Sequence, residues 1–436
     1  MNTRTKQYSS SAATRRQRAH RVAFVLALIA LFALVQELLF RGMFPLPEVM
    51  GFNRARYQMM AGSKLDQADT IRQGLVYDRI LFESSPDGYN EVHQLNVYGF
   101  RGPDFSIDPS PGRRRVLVIG DSVAEGQGAP ESATISAELS RLMERDGISA
   151  EVLNLGVVAA ALPHSAMLGR DATALLHPTD VIFVVNANDL PAPNFPPELH
   201  EQPAPFPRRS TSWWVPRSVE LIGRVARGEP IYRRWFHPAM RFFVPAPDPI
   251  NPWTGSKGPP PGLDEAVYRA MVAGTLNPWL TVHLQSMPSM LAYNFSEGGL
   301  PVLFLLRVST VCKAVGARMM VVYVPYYGVT HPRYAQPLVA LGMDRQTAER
   351  LATDPIYRNQ SKMLKELCPP MGLPLADTSD VLIRAETKEG PQFWSYDSHP
   401  RPSGYITIAR KIHEVWRQSF QQKPATVPRS DAAVKQ

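Results

Sequence analysis

Short apolar runs, rather than alternating apolar and polar residues, mark the strands of this chain. Val116-Leu117-Val118-Ile119, Val152-Leu153, Val181-Ile182-Phe183-Val184-Val185 and Met319-Met320-Val321-Val322-Tyr323-Val324 have the character of strands covered on both faces. They predict strands over 115–119, 151–155, 180–185 and 318–324, with a fifth at Leu373-Pro374-Leu375-Ala376. Between them the apolar spacing lengthens to that of a helix. Ile135, Leu139 and Leu142-Met143 predict a helix over 131–145, and further helices are expected over 164–176, 301–315 and 344–368. A last helix from about Ser403 buries one face through Ile406, Ile408-Ala409, Ile412 and Val415-Trp416. Strands alternating with helices imply parallel strands joined by right-handed crossovers, hence an α/β fold of three α/β/α layers around a five-stranded parallel sheet.

The longest apolar run lies outside this pattern. Val22 to Val35, continued by Gln36-Glu37-Leu38-Leu39-Phe40, reads as one helix over 22–40. At about 1.5 Å per residue it spans roughly 28 Å, close to a hydrocarbon core of about 30 Å. A cleaved secretory signal is the competing reading; no small-x-small cleavage pattern follows, which favours an anchor. The formal net charge of +8 gathers at the two ends: +6 over 1–21 and +2 over 422–436, leaving 22–421 neutral. A neutral body excludes a nucleic-acid binder, whose positive charge sits on its folded surface. The basic flank predicts a cytoplasmic tail at 1–21 and a globular part on the extracytoplasmic side, the periplasm where there is one.

The domain plan that follows is tail 1–21, anchor 22–40, membrane-proximal segment 41–112, catalytic domain 113–421 and a flexible tail 422–436. A hairpin is expected near Tyr77–Phe100, and Pro109-Ser110-Pro111-Gly112 reads as a linker. Residues 191–261 hold 17 of the chain's 41 prolines beside Trp213, Trp214, Trp235, Phe236, Phe242, Phe243 and Trp253. That insertion is either a loosely ordered surface segment or a lid, since it leaves the domain just after Asn188-Asp189. Cys312 and Cys368 either pair or are separate buried hydrophobes; neither belongs to a metal-ligand cluster, so no metal is expected.

Candidate chemistry sits at the strand ends. Gly120-Asp121-Ser122 closes the first run, Asn154-Leu155-Gly156 the second and Asn188-Asp189 the third, while Asp397-Ser398-His399 precedes the last helix. Loops after parallel strands collect at one rim, so a serine, a glycine, an asparagine and a His–Asp pair would share a crevice, the parts needed for acyl transfer through serine. Ser122 read by position alone is a helix cap, and Gly156 and Asn188 read alone are turn residues. His164, His177, His283 and His331 lack an acidic neighbour in matching context and read as surface or packing residues.

With these four blocks in order, the chain resembles the SGNH (GDSL-like) hydrolases over 92–190 and 300–420, and Asn96-Val97-Tyr98-Gly99-Phe100-Arg101-Gly102 is similar to the lead-in of membrane-anchored bacterial members. The resemblance implies a flavodoxin-like arrangement, Ser122 as nucleophile, His399 as general base and Asp397 as its orienter. It implies an oxyanion hole made of the Ser122 and Gly156 backbone N–H groups and the Asn188 side chain, with Asp121 and Asp189 as supporting or turn residues. Two departures stand out. The chain has Asp-x-His where many members have Asp-x-x-His, and Asn186-Ala187-Asn188-Asp189 where they have Gly-x-Asn-Asp. The expected function is a serine esterase or deacetylase acting on O-acyl, chiefly O-acetyl, esters of an envelope glycan, without a cofactor. The alternatives are a polysaccharide O-acyltransferase using the same residues, and an idle fold that binds glycan or acts as a scaffold.

Overall fold

The computed structural model describes residues 4–43, 49–54, 56–57, 79–83, 87–190, 208–209, 215–226, 251–281, 284–295 and 299–421. A 40-residue helix, α1 (Arg4–Met43), comes first. Its stretch Arg16–Gly42 is long and apolar enough to cross a membrane, and Leu26, Ile29 and Phe32 on it are exposed. The central sheet comprises β1 (Arg114–Gly120), β2 (Ala150–Gly156), β3 (Asp180–Asn186), β4 (Arg318–Val324) and β5 (Leu375–Asp377). All neighbouring pairs are parallel, in the order β2-β1-β3-β4-β5. This is the flavodoxin-like order, and it places the switch point, where ligands bind, beyond the C-termini of β1 and β3.

The helices cover both faces because the strands are apolar on both. A short helix α2 (Ser122–Glu125) follows β1, and α3 (Ile135–Arg145) packs with α7 (Pro402–Phe420). On the other face α4 (Leu162–Leu176) packs against α6 (Leu300–Val315). A further helix, α5 (Arg217–Ala226), belongs to the Pro-rich insertion and touches α1. Val116–Ile119, Val181–Val185 and Met320–Val324 are almost entirely buried, as continuous apolar strands between helical layers must be.

One helix differs from expectation. The helix expected over 344–368 is broken into Arg345–Leu351, a 3₁₀ turn Pro355–Arg358 and Asn359–Leu367. Pro355 supplies no N–H, and Asp354 instead caps the new turn through the Ile356 N–H. The hairpin near 77–100 forms as Arg79–Glu83 against Asn90–Gln94. Around it, Phe52, Tyr57, Tyr98, Phe100 and Ile107 of the pre-sheet segment are buried in the same core as the sheet. Most of 191–261 and all of 422–436 lie outside the described residues. Cys312 and Cys368 are free and buried, and burial pushes their thiols up to about 11 and about 12, so both are unreactive hydrophobes.

Candidate active site

The β1–α2 turn frees Ser122 from capping. Asp121 caps the helix, its Oδ1 accepting the Val123 N–H at 2.9 Å, so Ser122 occupies the first helical position. Its hydroxyl is available for other work, and its N–H has no partner among the described residues, as expected in a first helical turn. Gly126, in the left-handed region at φ 91°, ends the helix after one turn.

His399 approaches from a short strand, Asp397–Pro400, paired antiparallel with Phe393–Trp394. Its Nε2 accepts the Ser122 hydroxyl at 2.8 Å, and its Nδ1–H donates to Asp397 Oδ1. The His399 backbone N–H also donates to Asp397 Oδ1, at 3.1 Å. Residues two apart share a strand face, and this local bond draws them together, so the short Asp-x-His spacing closes without a separate turn. A carboxylate only accepts, so the proton belongs on Nδ1 and the Nε2 lone pair faces the serine. Asp397 is fully buried, yet the positive imidazole and its hydrogen bonds outweigh burial and hold its carboxyl below the ordinary value. Burial lowers the pKa of His399, and the Asp397 charge more than reverses that, leaving it raised.

Two residues that the sequence reading missed support Asp397. Tyr89 Oη donates to Asp397 Oδ2 at 2.8 Å, and Asn277 Nδ2 donates to the same oxygen at 3.3 Å. Tyr89 also lies tilted against Trp394, ring centroids 5.3 Å apart. One comes from the segment before the sheet and the other from beyond the Pro-rich insertion. Neither belongs to a motif, so nothing local marked them.

The three expected oxyanion donors differ in availability. The Asn188 side chain is exposed on the loop after β3, and among the described residues neither it nor the Ser122 N–H has a hydrogen-bond partner. The Gly156 N–H is engaged: it donates to Asn154 Oδ1 at 3.0 Å. Gly156 is glycine for a different reason than room for substrate. A Cβ there would lie 2.0 Å from the Glu125 nitrogen and 2.4 Å from its Cα, so the residue lets β2 press against the helix that carries Ser122. Further along the loop, Val157, Val158, Ala160 and Ala161 all donate to protein acceptors. Ala159 donates to no acceptor among the described residues; it is exposed and sits at φ 63°, an unusual conformation for a residue with a side chain.

Beneath α2 lies a buried ionic cluster. Glu125 accepts from His93 Nδ1–H at 2.7 Å and pairs with Arg54 at 2.9 Å. His93 Nε2 accepts from Arg101 Nη1 at 3.1 Å, which leaves the imidazole neutral between a carboxylate and a guanidinium. Its pKa accordingly falls to about 4, chiefly through burial, while Arg54 and His93 outweigh burial to hold Glu125 down to about 2. Arg101 also donates to the Gly126 and Ala129 carbonyls at 2.6 and 2.7 Å. The pre-sheet residues Arg54, His93 and Arg101 thus clamp the helix that carries the serine.

Asp121 and Asp189 lie outside the Ser122–His399–Asp397 hydrogen bonds. Asp189 Oδ2 accepts the Asn186 N–H at 2.9 Å, and Asn186 Nδ2 donates to Asp121 at 3.5 Å. Both carboxyls are raised by burial, Asp189 further by the neighbouring Asp121 charge. Of the other histidines, His164 is buried, His177 closes α4 in the left-handed region and His331 accepts from Arg333; His283 lies outside the described residues. Among the described residues no group of three or more His, Cys, Asp or Glu is placed to hold a metal.

No protein-family model matches the chain, and a comparison with curated proteins finds no match. Among solved structures, "Crystal Structure of TesA" aligns over 70% of this chain and 99% of that one, at 11% identity and a TM-score of 0.33. The acetyl xylan esterase AlAXEase aligns over 69% and 98%, at 10% identity and 0.33. A catalytic mutant of Axe2, an acetylxylan esterase from Geobacillus stearothermophilus, aligns over 69% and 93%, at 11% identity and 0.32. At that degree of similarity, the chemistry of the site rests on this chain's own geometry.

Proposed function

We propose that this chain is a serine hydrolase of ester bonds. The observation that carries the reading is the relay Ser122 Oγ–His399 Nε2 at 2.8 Å, continued by His399 Nδ1–H to the buried Asp397. An unactivated serine hydroxyl is a poor nucleophile, and an imidazole held in one tautomer by a carboxylate removes that limit. Ser122 attacks the ester carbonyl as its proton passes to His399 Nε2. The resulting imidazolium is stabilised by Asp397 and then protonates the departing alcohol. Water, deprotonated by the same ring, releases the acid and restores Ser122.

The oxyanion is received by the Ser122 N–H and the Asn188 amide, with the Ala159 N–H as third donor in place of the engaged Gly156 N–H. Removing one such donor costs about 3–4 kcal/mol of barrier in comparable sites. We place the reaction on O-acetyl or related O-acyl groups of an envelope glycan. In this reading α1 is an uncleaved anchor, and its basic flank keeps the catalytic body outside the cytoplasm.

The test is release of acetate from a chromogenic acetyl ester and from acetylated glycan, together with fluorophosphonate labelling at Ser122. Ser122→Ala must abolish both turnover and labelling. Intact wild-type protein that neither turns over such esters nor labels would refute the proposal. Accumulation of acyl-glycan when donor and acceptor are supplied together would reassign the same residues to transfer.

A further inference from the structure

The helix α5 is amphipathic, and it is tied to the end of α1. The Arg217 backbone N–H donates to both carboxylate oxygens of Glu37, at 2.9 and 2.8 Å, and Arg41 Nη2 donates to the Val215 carbonyl at 3.1 Å. Glu37 and Arg41 pair with each other at 2.6 Å in the last turns of α1. Nearby in sequence, Arg208–Arg209 pairs with Val49–Met50, directly after α1. The insertion is therefore fastened where the apolar helix ends.

On the outward side of α5, Val219, Ile222 and Ala226 form one stripe at helical spacing, with Val219 57% and Ile222 68% exposed. Arg217, Glu220 and Leu221, on the other side, are half-buried. Val35, Leu38 and Leu39, in the same turns of α1 as Glu37, are exposed as well. An apolar stripe left exposed on an amphipathic helix bonded to the end of a spanning helix suits a seat at the headgroup–acyl boundary.

We infer that α5 is an in-plane membrane helix, with Val219 and Ile222 inserted into the bilayer that holds α1. The inference rests on the anchor reading of α1 and is independent of the esterase chemistry. Two attachments, a spanning helix and a surface helix bonded to it, would fix the orientation of the catalytic body relative to the membrane plane, which one flexible anchor would not.

The test uses the full chain reconstituted in vesicles of phosphatidylethanolamine and phosphatidylglycerol. An environment-sensitive thiol label is placed in turn at Val219→Cys, Ile222→Cys, Phe32→Cys in α1, and Lys388→Cys on the exposed body. The native thiols are buried and leave the introduced one to react. Labels at 219 and 222 are expected to lose most of their emission to lipids brominated on the acyl chain, as at 32, while 388 responds only to aqueous iodide. Quenching at 32 but iodide quenching at 219 and 222 overturns the in-plane helix alone. Shielding of 219 and 222 from both quenchers overturns it in favour of a protein partner. No lipid quenching at 32 removes the anchor reading and the inference with it.

Discussion

Tyr89→Phe isolates one hydroxyl that touches the proposed relay only through Asp397. The Tyr89 Oη–Asp397 Oδ2 bond is 2.8 Å long and buried, and a hydrogen bond to a charged group is worth about 1.5–3 kcal/mol. Asp397 keeps the His399 Nδ1–H, the His399 backbone N–H and Asn277 as donors, so only part of that energy reaches the imidazole. If losing this bond lets the Asp397–His399 pair stray from its alignment with Ser122 at a cost of about 1 kcal/mol, kcat/KM falls roughly fivefold, with the loss in kcat rather than KM because no substrate contact changes. The sign on pH follows from the same bond. Without Tyr89, the Asp397 charge is less dispersed and favours the imidazolium more strongly, so the already raised His399 pKa moves further up. The base works only when neutral, so the acid limb of the kcat/KM profile moves to higher pH. Asn277→Ala is expected to shift it the same way by less, its bond being 3.3 Å, and the double variant by more. The phenyl ring retains the contact with Trp394, so melting temperature is the control for folding. An acid limb that stays in place in a folded double variant refutes the reasoning and reduces Tyr89 and Asn277 to packing.

Gly156→Ala puts a methyl group into the Glu125 backbone and should destabilise the fold by about 3 kcal/mol or more, read as a fall in the urea midpoint; a neutral result would refute the close approach. Glu125→Gln leaves Arg54 without its counter-charge in a buried site and should cost about 3–5 kcal/mol by the same measurement, with esterase activity lost in step because α2 is released. Asp189→Asn retains an acceptor for the Asn186 N–H and removes repulsion with Asp121. Since burial raises the Asp189 pKa in the folded state, ionising it costs stability as pH climbs above the unfolded carboxyl value. The variant should therefore match the wild type in acid and melt higher at neutral pH; a lower melting point there would count against it.

Some of this molecule was legible from residue order alone. Strands buried on both faces must be continuously apolar, so Val116–Ile119, Val181–Val185 and Met319–Val324 announced the parallel sheet, and the helical period of Ile408, Ile412 and Trp416 announced α7. A hydroxyl at the end of β1 and an imidazole before α7 were locatable because each sits at the end of an element with a readable period. Contacts between segments remote in sequence leave no such periodic trace. Nothing near Tyr89 or Asn277 signals that both end on Asp397, and nothing near His93 signals its place beneath Ser122. The glycine at 156 read as a turn residue or an oxyanion donor, whereas its neighbour is Glu125, brought there by the parallel pairing of β1 with β2. Local order sets the elements through backbone geometry and burial pattern. Only the packed chain decides which donor N–H groups are already spent, which carboxyls share a site, and which apolar stripe stays exposed.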